Sequence, residues 1–326
     1  MDYFSLGCFG KLPIHADFIR HNADGMEVRG LDQWFQEGIQ FVKSKLGPSW
    51  EEDFSKADFW RFVFQVDGSD RFLVGVFAPS RDQGGRRYPF ILFLRVDRTR
   101  FPGPIYFAPL LFSTFWNRAT EVAQTGWRGT ELKGFLSALE RLTVPIEKEF
   151  ELVKEAYLGH LQVQTVGDFW TKLLGDFSHP RKYLMDRNLL DILLPMRHNP
   201  LNKFGLGLKF PLILQAAEEG YDIPFWFDMT FRLLKQDKVD PIFFWNRGPT
   251  KGTPCMMVFF RRPSAKNFLF LVRPDLDGDS WYDLAPEESG NPENVIGGIR
   301  KERQELLDQG GLPLATFLEA TEALKE

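Results

Sequence analysis

Short runs of apolar residues alternate along this chain with longer stretches in which apolar residues recur every three or four positions. The runs are rich in Phe, Val, Ile and Leu, which favour strands, and early in the chain they cover residues 4–9, 60–66, 72–77 and 88–96. The last three runs are separated by DGSD and PSRDQGGRR, segments of turn residues that are too short to hold a crossover helix. These three runs therefore predict neighbouring antiparallel strands of one sheet.

The spacing of three and four predicts helices in the other stretches. Residues 147–198 are predicted to be largely helical, and Thr165 and Asp168 have the spacing of a loose capping box in which Asp replaces Glu. Gly and Pro residues after the periodic stretches are typical of helix ends. The remaining predicted helices cover residues 31–46, 110–122, 130–142, 299–307 and 314–324.

Beyond Gly205, strand-like runs return at residues 210–214, 242–245 and 256–260. Residues 268–272 leave two alternatives open, because the sequence FLFLV favours a strand while the preceding Ser264-Ala-Lys-Asn can cap a helix. We expect an α/β fold with a mixed, largely antiparallel sheet and a helix-rich C-terminal half. Pro145 is the best candidate boundary, which predicts an N-terminal domain over 1–145. Residues 146–326 form either a second domain or a continuation of the first.

Composition narrows the class of protein. The 40 Lys and Arg nearly balance 44 Asp and Glu, and a net charge of −4 does not supply the positive field on which nucleic-acid binding depends. Cys8 and Cys255 lie too far apart for a CxxC pair and fit a reducing compartment. No run approaches about 20 apolar residues, and the N-terminus lacks the features of a signal peptide. We therefore expect a cytoplasmic protein with no membrane insertion.

The aromatic content is high, with 33 Phe, 9 Trp and 7 Tyr. A Phe-rich core is the favoured explanation, although aromatic side chains are also the anchors of protein interfaces.

Patterns that would indicate a metal, a cofactor or a nucleophile are missing from the sequence. The five histidines show neither HExxH nor the spacing of paired ligands, the glycine and lysine segments lack the spacing of a P-loop, and there is no GxSxG. Cys8 near His15 is better explained as a small core residue than as a nucleophile. We expect no catalytic residue, no metal and no cofactor.

Two polar loops beside predicted strands hold the remaining charged candidates. In one interpretation, Asp82 caps the turn that the following glycines allow, and a pair such as Asp17–Arg86 or Lys11–Asp82 locks the two loops together. In the other interpretation, the same side chains recognise a partner. The candidate residues are Lys11, His15 and Asp17 in the first loop, and Ser80, Asp82 and Arg86 in the second.

The order of motifs around these loops is GKLPxxxDF from Gly10, a Trp-containing helix, WRF at 60–62, and PSxDxxGRxYPF from Pro79. This order resembles the TagF (ImpM) family of proteins associated with bacterial type VI secretion, and the match covers about residues 4–96. KFPL at 209–212, PFW at 224–226 and PIFFW at 241–245 resemble the more loosely patterned C-terminal part of that family. Ala16 stands where the family usually has Gly, which makes a positive φ at this position unfavourable.

The resemblance implies a layered α/β/α sandwich and a regulatory role in the cytoplasm. Family members act as post-translational repressors of type VI secretion by associating with a forkhead-associated-domain scaffold, and no catalytic residues come with the family. We therefore expect a non-enzymatic regulator that binds such a scaffold or another cytoplasmic component of the secretion apparatus.

Two alternatives stay open. One is a hydrolase or phosphatase-like enzyme that uses Lys11, Asp17, Asp82 and Arg86 in a single cleft. The other is a permanent structural component of the apparatus, in which the aromatic surplus forms the interface.

Overall fold

The structure is a computed structural model that describes residues 4–142, 149–199, 201–214, 220–236, 239–248, 252–276, 278–286 and 299–323. Pro145, the predicted boundary, lies outside the described residues, and the division of the chain into domains stays a prediction.

Strands from both ends of the chain form one mixed sheet. They are β1 Phe4–Gly10, β2 Ile19–His21, β3 Trp60–Gln65, β4 Arg71–Ala78, β5 Phe90–Asp97, β6 Gly207–Pro211, β7 Ile242–Asn246, β8 Cys255–Phe259 and β9 Trp281–Asp283.

The order of the described strands across the sheet is β2-β1-β5-β4-β3-β7-β8-β6-β9. Every neighbouring pair is antiparallel except β6 and β9, which run parallel. The predicted antiparallel arrangement of β3, β4 and β5 is confirmed. The sheet passes from the early strands to the late ones where β3 pairs with β7, with Arg61 opposite Trp245.

Helices lie on both sides of this sheet. Their bounds are α1 Met26–Leu46, α2 Trp50–Ser55, α3 Ala108–Leu111, α4 Ser113–Glu121, α5 Leu132–Leu139, α6 Glu149–Val163, α7 Val166–Leu174, α8 Arg181–Leu193, α9 Asp222–Leu234, α10 Phe268–Val272, α11 Lys301–Asp308 and α12 Leu314–Glu322.

Both faces of the sheet are buried, which gives the expected α/β fold its α/β/α layering. In β3, Phe62 and Phe64 belong to the core beneath α1 and α10, whereas Val63 belongs to the core on the opposite face. The opposite face is covered by the helices between β5 and β7 together with α11 and α12. Strands buried on both faces have continuous apolar runs rather than alternation, which explains the runs seen in the sequence.

The aromatic surplus is used in these two cores. Among the described residues no Phe, Tyr or Trp side chain is in the exposed class. The Phe-rich core is therefore the correct explanation for the described part of the chain. The alternative of a permanent structural component requires aromatic side chains at an interface, and this part of the chain exposes none.

Some predicted helix and strand bounds were wrong. Helix α1 begins at Met26 rather than at residue 31, because the buried Glu27 carboxylate accepts a hydrogen bond from Ser69 Oγ and lies 3.6 Å from Arg95 Nε. The predicted helix over 110–122 is split into α3 and α4 at Phe112, whose φ of −98° and ψ of 19° are not helical.

Strand β6 was predicted at 210–214 but ends at Pro211. Beyond it, the Ile213 N–H donates to a carboxylate oxygen of Asp222 at 2.9 Å instead of continuing the strand.

Two capping motifs decide local structure as their sequences suggest. The capping box of Thr165 and Asp168 is present at the start of α7, with both reciprocal hydrogen bonds formed. Ser264 and Asn267 form a second box, so that residues 268–272 are a helix rather than a strand. The cap therefore outweighs the strand propensity of FLFLV.

A buried ion pair joins three helices of the C-terminal half. Arg303 on α11 is 1% exposed and donates to both carboxylate oxygens of Asp186 on α8, at 2.6–2.9 Å. Its Nη1 donates to Thr321 Oγ1 on α12 at 2.7 Å. Removing one partner of such a pair leaves the other charge buried and uncompensated.

We expect Arg303→Met to lower the free energy of unfolding by about 3–5 kcal/mol, because the Asp186 carboxylate loses its counterion. The control is Lys301→Met on the same helix: Lys301 is 86% exposed and pairs with Glu305 at 3.7 Å, so its loss costs at most about 0.5 kcal/mol. Urea unfolding of both variants measures the difference. Equal losses would contradict the role assigned to the buried pair.

Candidate functional site

The two polar loops meet at one end of the sheet. The first loop, residues 11–18, connects β1 to β2, and the second, residues 79–89, connects β4 to β5. Because β1 pairs with β5, with Gly10 opposite Phe90, the loops leave the sheet side by side. Gly10 has a φ of 124°, and a Cβ at this position would lie 2.0 Å from the carbonyl oxygen of Pro89. A glycine is therefore required where the first loop begins.

Asp82 is the centre of the contact between the loops. Its carboxylate is buried and accepts a hydrogen bond on Oδ2 from Lys11 Nζ at 2.9 Å. Arg86 donates to the same carboxylate from Nε, at 2.6 Å to Oδ2, and from its backbone N–H, at 2.9 Å to Oδ1. The Lys11–Asp82 pair considered from the sequence is thus present, and both carboxylate oxygens are occupied.

The charge of Asp82 follows from these contacts. Burial opposes ionisation and alone would raise the pKa of this carboxyl, but the hydrogen bonds from Lys11 and Arg86 outweigh burial. The pKa of Asp82 therefore lies well below its usual value. A carboxyl group that is permanently ionised near neutral pH is poorly suited to general acid or base chemistry.

Backbone contacts fasten the loops further. The Gln83 N–H of the second loop donates to the carbonyl of His15 in the first, at 2.9 Å. Arg86 Nη2 reaches across to the carbonyl of Ala16 at 2.8 Å. The two loops are therefore held together by side chains and by backbone, and Arg86 contributes to both sets of contacts.

The other three candidate residues do not join the side-chain cluster. Asp17 is exposed and accepts a hydrogen bond from the N–H of the next residue, Phe18, at 2.7 Å. Ser80 contributes its carbonyl, which accepts the Tyr88 N–H at 3.1 Å, and His15 contributes backbone contacts. The pair of Asp17 with Arg86 is not formed, because Arg86 is bonded to Asp82 and to the carbonyl of Ala16.

Aromatic rings support the inner side of the loops. Phe18 stacks on Phe9 with ring centroids 5.6 Å apart. It also forms a T-shaped contact with Tyr88, with ring centroids 4.9 Å apart. Lys11 Nζ lies 4.9 Å from the centroid of the Phe18 ring. The Tyr88 hydroxyl donates to the carboxylate of Asp32 on α1, and burial together with this hydrogen bond raises the pKa of Tyr88.

The sequence analysis did not identify Asp32 or Arg20 as part of this region. Arg20 Cζ lies 4.7 Å from the Phe9 ring centroid, and Arg20 Nη2 is 3.9 Å from Asp32. Both residues lie on other elements, and no local pattern marks them. Tertiary packing alone brings them to the loops.

The outward side of the joined loops is exposed and basic. We call the exposed residues Ala16, Asp17 and 81–86, without the buried Asp82, the loop tip. Arg81 is exposed, and 64% of the Arg86 side chain is accessible although its Nε is bonded to Asp82. The loop tip therefore presents two guanidinium groups, and hydrogen bonds between the two loops hold the backbone that carries them in place.

Three further features concern the Cys8 thiol, metal binding and the length of the apolar helices. Burial raises the pKa of the Cys8 thiol to about 12, so this group stays protonated, as a core residue would. No set of three or more His, Cys, Asp or Glu residues in those ranges is placed to bind a metal ion. None of the helices described is long and apolar enough to cross a membrane.

We expect Asp82→Asn to be less stable than the wild type at pH 7, with a difference that shrinks as the pH falls below about 4. A carboxyl whose pKa is lowered by folding contributes stability above its unfolded pKa of about 3.9 and loses it toward its folded pKa. Urea unfolding at pH 7, 5, 4 and 3 measures the difference. Asp17→Asn, at an exposed carboxyl with a single local backbone contact, is the control. A difference for Asp82→Asn that does not change with pH would contradict the assignment.

Comparison with known proteins found a similar solved structure and a matching domain model. No curated protein matches the sequence. Among solved structures, the crystal structure of PA0076 from Pseudomonas aeruginosa PAO1 is similar, with a TM-score of 0.52 at 16% sequence identity, covering 88% of this chain and 100% of that chain. This likeness shows a shared fold. Residues 7–142, which include both loops, match the TagF N-terminal domain, described as type VI secretion system-associated. The first part of the chain, residues 7–142, is therefore similar to the N-terminal domain of TagF, a type VI secretion system-associated domain.

Proposed function

We propose that the protein is a non-enzymatic, cytoplasmic regulator that represses type VI secretion after translation by binding a forkhead-associated-domain scaffold or another cytoplasmic component of the apparatus. The observation that carries the proposal is the TagF N-terminal domain over residues 7–142, together with the placement of that domain's two charged loops at one exposed tip.

The chemistry of the loop tip suits recognition of an acidic surface. Arg81 and Arg86 are exposed there, and Arg is among the residues most often found at the energetic centres of protein interfaces. The hydrogen bonds to Asp82 and to the carbonyl of Ala16 fix the guanidinium of Arg86 before any partner arrives. A preorganised contact loses less conformational entropy on binding.

Binding alone is sufficient for repression. A protein that prefers the inactive form of a scaffold shifts the scaffold population toward that form by its difference in affinity for the two forms. A tenfold preference corresponds to about 1.4 kcal/mol.

The alternative of a hydrolase that uses the same residues is less well supported by the geometry. Lys11 and Arg86 each donate a hydrogen bond to Asp82, and Asp17 accepts one from a backbone amide of its own turn. Such an enzyme needs a group left open toward a substrate. We therefore keep the binding function as the proposal.

We expect Arg81→Glu to weaken retention of the forkhead-associated-domain protein at least about tenfold, because it reverses one charge of the basic loop tip without removing a contact to Asp82. The measurement is co-purification with the tagged protein from cells with an active secretion system, together with a secretion assay on overexpression. The matched control is Arg71→Glu, the same change at the opposite end of β4, where Arg71 is also exposed.

The loop tip would be excluded as the contact surface if Arg81→Glu and Arg71→Glu retained the forkhead-associated-domain protein equally well. It would also be excluded if the wild type retained no secretion component. Repression by the wild type that persists without any bound component would exclude the proposal itself. A constant stoichiometry in the assembled apparatus would favour the structural component instead.

A further inference from the structure

A cavity of about 390 Å³ lies where the early and late strands of the sheet meet. Its walls include Arg61 of β3, Trp245 and Asn246 of β7, Arg247 directly after β7, and Phe59. The volume is in the range of small-molecule sites, which are about 300–1,000 Å³. The cavity shares no lining residue with the loop cluster around Asp82, so a function of the cavity goes beyond the proposed function of the loop tip.

Arg61 is a cation without a counterion in the described part of the chain. It lies in the WRF segment on the face of β3 that α4 covers, and its Nη2 donates to Asn117 Oδ1 at 2.8 Å. No carboxylate among the described residues lies within ion-pair distance of it. A guanidinium has five N–H donors, and Asn117 occupies one of them.

Arg247 adds a second guanidinium that is fixed in place. It forms a bidentate pair with Asp222 at the start of α9 and donates from Nη1 to the carbonyl of Ile213 at 3.1 Å. The Asp222 carboxylate also accepts the N–H groups of Ile213 and Ile223, at 2.9 and 3.0 Å. This network holds Arg247 at the cavity wall through contacts that do not involve Arg61.

Burial, with a contribution from the charge of Arg247, lowers the pKa of Arg61 to about 10. Arg61 therefore remains charged at neutral pH, in a place that disfavours its charge. The wall also contains one buried carboxylate, Asp58, which has an interaction of its own. An anion entering the cavity would compensate the charge of Arg61.

The other walls fit the rest of a small molecule. Asn246 is a polar wall residue that is 9% exposed, and its Oδ1 accepts the N–H of Gly248 at 2.9 Å. Phe59 and Trp245 supply apolar surface. A few placed polar groups among apolar walls are typical of ligand sites.

We propose that this cavity binds a small organic molecule that carries a phosphate or carboxylate group, and that Arg61 holds the oxyanion. The planar guanidinium of Arg can form two parallel hydrogen bonds to a phosphate or to a carboxylate. Arg61 could therefore bind either group in the same way.

The test is a titration of the full chain with sodium pyrophosphate and, separately, sodium citrate, each against sodium chloride at the same ionic strength. We expect at least one of the two oxyanions to raise the Tm of the wild type in a saturable manner, and the stronger of the two to identify the source of the charge. Arg61→Met should weaken that binding about tenfold or more by calorimetry. No saturable shift with either oxyanion up to about 10 mM would overturn the proposal.

Two further variants separate binding from folding. Arg118→Met removes a 67% exposed arginine of α4 and should bind as the wild type does. Arg61→Lys keeps the charge but loses the fork, so it should fold and bind more weakly than the wild type. Ligand-free Arg61→Met should melt no lower than the wild type, because it removes a cation that lacks a carboxylate partner. If Arg61→Met and Arg61→Lys bound the oxyanion as tightly as the wild type does, Arg61 would not be a ligand-binding residue. If the Tm of Arg61→Met fell as far as that of Arg303→Met, Arg61 would be a residue that stabilises the fold.

Discussion

The pairing of β3 with β7 joins strands β1–β5, which precede residue 98, to strands β6–β9, which follow residue 206. Three register pairs make this junction, with Arg61 opposite Trp245, Phe62 opposite Phe244 and Val63 opposite Phe243. The side chains of β3 also enter both cores, so the helical layers on the two faces depend on the same strand. A charged residue, Arg61, lies at this central position, where burial and the nearby Arg247 disfavour its charge.

The loop cluster follows a different principle, since there the charges compensate one another. Asp82 is buried because Lys11 and Arg86 supply its hydrogen bonds, and the pair of loops is held in a defined position because Asp82 is buried. Exposed ion pairs contribute little to stability, but a shared carboxylate removed from water is costly to leave unpaired. The cluster therefore both fixes the loop tip and leaves the outer part of Arg86 accessible.

Much of the fold could be predicted from the sequence because burial on both faces makes strands conspicuous as apolar runs, as in β3, β4 and β5. Strands β2 and β9 have three residues each and carry no pattern of their own, so they exist only through their neighbours. In the site, Lys11 and Asp82 were identified because they lie in turn motifs. The partner of Arg86 was not predictable, since Asp17 and Asp82 were equivalent until the loops were placed. Arg61 and Arg247 line one cavity, and Arg247 pairs with Asp222; these residues come from three separate parts of the chain, so the arrangement has no signature in the sequence.

The strands at both margins of the described sheet are short, which limits pairing of its edges with another chain. In the described strand order, β2 and β9 are the outermost members, and three residues offer few free backbone donors and acceptors to another chain. A wide sheet built from so many aromatic residues would otherwise be a template for edge-to-edge association. A partner strand added at either margin of the described sheet would therefore form few main-chain hydrogen bonds.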